Sequence, residues 1–105
     1  MPCLYVKNFS IISFVAEKKY FKIQGRVQGI GFRFFVKSLA LKLNLNGWVR
    51  NMENPDEVEG VVEGEKENIL LFFKDLKTGH SMAVINKVEI SDFYEDVGKE
   101  FTIRR

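Results

Sequence analysis

The chain has 105 residues, enough for one hydrophobic core and too few to give each of two halves a core of its own. At 46% hydrophobic and 29% charged, with two prolines, it has the composition of a folded globular protein rather than a disordered one. A formal net charge of +2 is too slight to direct it to nucleic acid or an anionic membrane by bulk electrostatics, although a local basic patch can still attract a small anion.

The single cysteine, Cys3, excludes an internal disulfide, and with His80 as the single histidine no Cys/His metal cluster is available. Both facts suit a reducing cytoplasm. The apolar run near the N-terminus, Ile11 to Ala16, is broken by Ser13 and is shorter than a membrane span or a signal-peptide core. No membrane partner and no export are expected. Neither Cys3 nor His80 has a recognisable partner beside it in sequence, so they read as a terminal thiol and a loop imidazole.

No internal repeat or biased segment divides the chain. Lys19 to Gln24 alternates apolar and polar with β-forming aromatics and meets Gly25, which predicts a strand entering a loop with glycines at 25, 29 and 31. From Phe32 the period changes: Phe32, Val36, Leu39, Ala40 and Leu43 share one face of a helix ending near Asn44. Gly47 to Asn51 and Glu57 to Glu63 read as a hairpin around Asn54-Pro55-Asp56. Ile69, Phe72, Phe73 and Leu76 form a second helical stripe, with glutamates at its start, lysines at its end and Gly79 as its stop. Ala83 to Ile90 is rich in β-branched residues, and Phe101 to Arg104 alternates, giving one more strand and a short last one.

That order predicts an α+β, ferredoxin-like βαββαβ sandwich: an antiparallel sheet, two helices on one face and a short C-terminal fifth strand. The expected division is an N-terminal extension over 1–16 and a domain over 17–105. This topology hosts many functions, so function must be argued from a site.

Gly25 to Arg33 is a glycine-containing turn that delivers an arginine at the start of a helix. Unpaired backbone N–H groups and partial positive charge at a helix N-terminus let such a loop wrap a phosphate, and the planar, permanently charged Arg33 guanidinium can grip two phosphate oxygens. By spacing alone the segment reads better as a tight turn with a solvated arginine. It is neither a dinucleotide fingerprint, since Phe34 stands at the third glycine position, nor a Walker loop, since no Lys-Ser/Thr follows. The topology supplies the second element. The first and second strands run parallel with the third between them, so Asn51 comes to the same sheet edge as the loop, across two strand spacings of roughly 10 Å.

These residues include no nearby nucleophilic cysteine, histidine or paired carboxylates for covalent catalysis or for protonating a basic leaving group. They suit a leaving group that needs no acid. An acyl phosphate releases a carboxylate with a pKa of roughly 4 to 5, and in a loose phosphoryl transfer the attacking water needs placement more than deprotonation. An asparagine amide can supply that placement. The reading is metal-free, single-step hydrolysis.

At these residues the sequence resembles the acylphosphatase family: Gly25 to Arg33 is similar to its first signature and Gly47 to Asn51 to its second. The likeness runs from about Tyr20 to the C-terminus and includes Ala83 to Glu89 and Phe101 to Arg104. It implies that Arg33 and the loop Gln28, Gly29, Ile30, Gly31, Phe32 and Arg33 bind the phosphate, that Asn51 orients the attacking water, and that Arg33 and Asn51 are the catalytic pair. It also implies no cofactor and small carboxyl phosphates, such as acetyl phosphate or 1,3-bisphosphoglycerate, as substrate. The chain departs from the family in the Met52 to Glu57 turn, which lacks the usual Asp-Gly and is one residue longer. It also has Gly79-His80 where Gly-Pro is frequent and Arg105 where tyrosine is frequent.

Rival readings are a non-catalytic small-anion or RNA-binding module on the same fold, and the acylphosphatase-like module of hydrogenase-maturation carbamoyltransferases. Against RNA, the aromatic run Phe32 to Phe35 starts a helix, whereas RNA-recognition domains carry such aromatics on the third strand, and Glu57 to Glu63 has none. No nucleic-acid partner is therefore expected. The carbamoyltransferase module sits in much longer chains, so a free-standing enzyme is expected. The Ile11 to Val15 segment has strand composition and either adds an edge strand, mediates contact between chains or forms an inert arm. The sequence assigns no oligomeric state.

Overall fold

A computed structural model of the chain describes residues 16–105. Strand β1 (Ala16–Arg26) leads through the glycine loop to helix α1 (Phe32–Lys42), then β2 (Asn46–Asn51), β3 (Glu57–Glu65), helix α2 (Lys66–Thr78), β4 (Val84–Asp92) and β5 (Phe101–Arg104). The predicted order is therefore present, with β1 and β4 longer than the periodicity indicated. The strand expected within Ile11 to Val15 lies outside the described residues, as does the 1–16 extension apart from Ala16, which opens β1.

The sheet order is β4-β1-β3-β2-β5. β1 and β2 both pair antiparallel with β3 and so run parallel to each other, bringing their C-terminal ends to one edge. β4 is antiparallel to β1, with Val84 opposite Arg26, which carries the α2–β4 connection to that edge. β5 pairs with β2 in parallel, so the sheet is mixed there and Arg104 also ends at this edge. Four chain segments thus meet where β1 ends.

The alternation of each strand decides which side it buries. Phe21 and Ile23 of β1, Val49 of β2, and Val58 and Val62 of β3 pack with Phe32, Val36, Leu39 and Ala40 of α1 and with Ile69, Phe72, Phe73 and Leu76 of α2. Each fully buried aliphatic or phenyl group of this set contributes about 1.5–3 kcal/mol of transfer free energy. Phe21 links the layers by edge-on packing on Phe72 and Phe73, with both ring centroids at 5.7 Å. Its ring can lie across β3 because residue 60 is glycine: a Cβ there would meet the Phe21 ring at 2.5 Å.

The opposite sheet face carries the alternate residues. Tyr20 donates its hydroxyl to Glu59 Oε1 at 2.7 Å, and Arg50 Nε donates to Glu59 Oε2 at 2.6 Å, so the buried Glu59 carboxylate is satisfied on both oxygens. Burial, followed by the bond to Glu59, pushes the Tyr20 phenol well above its ordinary value of 10.0. Trp48 is flanked by the Arg50 and Arg104 guanidinia, 5.5 and 4.6 Å from the ring centroid.

Candidate active site

The glycine loop takes its shape from two residues. Gly29 and Gly31 both have φ of 75°, a left-handed conformation that side chains rarely adopt, and a Cβ at either would meet no atom within 4 Å. Backbone conformation, not crowding, therefore demands glycine here, and the space above both is open. Gly31 caps α1 without any side-chain hydrogen bond, and the first helical turn contains no acidic residue. The first helical bond runs from the Phe35 N–H to the Gly31 carbonyl at 3.1 Å. Among the described residues, no group accepts a hydrogen bond from the amides of Gln28 through Arg33. Unpartnered N–H groups at an uncapped, acid-free helix start make an anion site.

A pocket of about 140 Å³ opens over this loop, lined by Val27, Gly29, Gly31, Phe32, Arg33, Phe34 and Asn51. The Arg33 and Asn51 expected from sequence thus share one cavity. Arg33 is partly exposed, and its Nη1 donates to the Arg104 carbonyl at 3.3 Å, which ties the guanidinium to the end of β5. The Asn51 Oδ1 is buried and has no hydrogen-bond partner among the described residues. An unmade bond at such an atom costs about 1–3 kcal/mol, so the site favours a donor beside Asn51. A larger depression of about 430 Å³ lies between β1 and Phe93-Tyr94, and two of the charges that line it, Lys19 and Asp92, pair with each other.

Two of the expected loop residues stand apart from the pocket wall. Ile30 packs against the core, and the Gln28 side chain turns toward the β2–β3 connection. There Gln28 Nε2 donates to the carbonyls of Glu57 at 2.9 Å, Asn54 at 3.1 Å and Met52 at 3.2 Å. The Gly25 N–H donates to the Asp56 carbonyl at 2.8 Å, and Asn54 Oδ1 accepts the Asp56 N–H at 2.9 Å in an Asx turn. The Met52 to Glu57 turn is thus fastened to the glycine loop. Sequence reasoning missed this clamp, and it missed the Arg104 carbonyl as a brace for Arg33, since a backbone acceptor has no residue type to signal it. Among the described residues no group of three His, Cys, Asp or Glu side chains gathers into a metal-binding cluster, and no helix is long and apolar enough to cross a membrane.

Taken together, the pocket offers backbone N–H groups, one guanidinium and one amide to a small anion, and the chain that carries it is similar in sequence and fold to known proteins. The acylphosphatase family model matches residues 19–103. An acylphosphatase of Moorella thermoacetica is 41% identical over 87 residues, covering 83% of this chain and 90% of its own. The structure of an acylphosphatase from Coxiella burnetii superposes with a TM-score of 0.79 at 29% identity, over 85% of this chain and 93% of that one. A probable carbamoyltransferase HypF of Methanocaldococcus jannaschii is 44% identical over 79 residues, which span 74% of this chain and 10% of that longer protein. The chain belongs to the acylphosphatase family, whose members act on acyl phosphates.

Proposed function

We propose that the protein hydrolyses the carboxyl–phosphate bond of small acyl phosphates without a metal ion, in one step, with Arg33 and the Gln28-to-Arg33 amides on the phosphoryl group and Asn51 on the attacking water. The observation that carries this reading is the shared pocket: Arg33, Asn51 and the loop residues Gly29, Gly31 and Phe32 border one cavity of about 140 Å³, and the loop amides have no described partner. The phosphoryl oxygens lie against the amides and the guanidinium, whose charge matches the charge that gathers on them in the transition state. The Asn51 Oδ1 accepts a hydrogen bond from the water and so aims its oxygen at phosphorus, opposite the carboxylate. As the water oxygen bonds to phosphorus, the bond from phosphorus to the carboxylate oxygen breaks and the electron pair leaves with the carboxylate. The water proton passes to a phosphate oxygen or to solvent. No acid is needed because the leaving group has a pKa of roughly 4 to 5.

In this reading the substrate is a small carboxyl phosphate such as acetyl phosphate, and the protein works in the cytoplasm, in keeping with its lone cysteine. Purified protein is expected to release phosphate from acetyl or benzoyl phosphate in the presence of a chelator. A metal requirement, or near-wild-type turnover by folded Arg33→Ala or Asn51→Ala, sinks the mechanism. Phosphate binding with no turnover at all points instead to a non-catalytic anion-binding module.

A further inference from the structure

His80 lies in the connection between α2 and β4, at the sheet edge where the glycine loop sits. Gly79 before it is required by crowding, because a Cβ there would meet the Phe35 ring at 2.7 Å. The imidazole is seated edge-on against Phe35, with centroids at 5.4 Å, and beside Phe32 at 6.0 Å. Its Nδ1 accepts the Met82 N–H at 3.1 Å. In the neutral ring the proton is therefore on Nε2, which donates to the Ile30 carbonyl at 3.0 Å.

Ile30 is in the middle of the phosphate-side loop, and its carbonyl belongs to the peptide that joins it to Gly31. No peptide bond among the described residues is cis, and across a planar trans peptide the C=O and the N–H point in opposite directions. Holding the Ile30 carbonyl on His80 therefore turns the Gly31 N–H away from His80. Gly31 borders the pocket, whereas His80 does not. Nothing in Gly31 itself fixes this plane, since glycine takes either sign of φ with similar ease. The hold must come from outside the loop.

We propose that His80 is a positioning residue for the phosphate site: its Nε2–H, bonded to the Ile30 carbonyl, keeps the Ile30–Gly31 peptide turned so that the Gly31 N–H faces the bound phosphoryl group. This rests on the function proposed above and assigns the outer support of its anion cradle. The ring makes no contact with substrate; it acts through one peptide plane. Glutamine can replace it, because its Nε2 reaches the same carbonyl as a donor, whereas alanine and leucine cannot.

The test compares wild type, His80→Ala and His80→Gln by titration calorimetry with inorganic phosphate, by kcat and KM for acetyl phosphate, and by thermal unfolding. His80→Ala is expected to weaken phosphate binding and raise KM in parallel, by about three- to tenfold as for one hydrogen bond, with kcat within about twofold; His80→Gln restores both constants. Wild-type phosphate affinity in a folded His80→Ala protein overturns the proposal, as does a drop in melting temperature shared by both variants with phosphate affinity unmoved. If wild type binds phosphate but does not turn over acetyl phosphate, the hydrolase reading fails while a weakened His80→Ala still supports the positioning role. A wild type that binds no phosphate overturns both.

Discussion

The loop that borders the pocket and the turn fastened to that loop are built on opposite hydrogen-bonding plans. On the loop, Gln28 to Arg33, the backbone donors have no described partner, and the one carbonyl in the middle, Ile30, is turned onto His80. On the turn, Met52 to Glu57, carbonyls are taken up: those of Met52, Asn54 and Glu57 by Gln28, and that of Asp56 by Gly25. An anion needs donors and is repelled by carbonyl oxygens, so a site for a phosphoryl group must leave the first free and neutralise the second. Gln28 serves both ends of this plan. Its backbone lies in the donor loop while its side chain takes up the carbonyls of the turn.

Removing the strongest donor breaks this contrast most severely. Arg33→Ala is expected to lower kcat/KM for acetyl phosphate by about 10²–10³, the scale for losing one group that meets transition-state charge, as read from steady-state rates. Asn51→Ala should come next, with kcat down on the order of 10² and a phosphate affinity close to wild type, because water placement and anion binding are separate tasks. A matched loss of phosphate affinity in that variant would merge the two tasks into one.

Gln28→Ala probes the acceptor turn. It strips one shared donor from three carbonyls and should destabilise the fold by about 1–3 kcal/mol in denaturant titrations, with turnover reduced about tenfold as the turn drifts from the loop. If stability falls and turnover per folded molecule does not, the clamp supports the fold alone. The smallest effect sharpens the comparison from outside the site, on the open sheet face. The folded-state pKa of Tyr20 is raised, so its contribution to stability is complete below the ordinary value of 10.0 and is lost as pH rises above it, where the unfolded chain sheds the proton first. Tyr20→Phe should flatten the decline of denaturant midpoints between about pH 9 and 11 while leaving acetyl phosphate turnover at neutral pH unchanged.

Much of this architecture could be read from residue patterns. The stripes Phe32-Val36-Leu39-Ala40 and Ile69-Phe72-Phe73-Leu76 are buried as their spacing demanded, and the parallel run of β1 and β2 follows from the element order. Arg33 and Asn51 could be paired because topology, rather than sequence distance, brings strand ends together. β1 exceeded its predicted span because each partner strand overshoots the alternating core at Lys19 to Gln24, β3 pairing with it back to Ala16 and β4 on to Arg26. The supporting bonds were hidden for a different reason. Gln28, His80 and Arg33 each act on a main-chain carbonyl, of Glu57, Ile30 and Arg104, and a carbonyl looks the same at every position in a sequence. His80 in particular read as a plain loop imidazole because its partner lies fifty residues upstream.

The bond from Arg33 to the Arg104 carbonyl joins residues 71 positions apart, close to the full length of the described chain. The guanidinium is held only once β5 has docked beside β2. A chain whose core helices and hairpin are complete but whose β5 is undocked leaves this arm unbraced. Phosphate affinity would then report the docking of one short strand rather than the formation of the core.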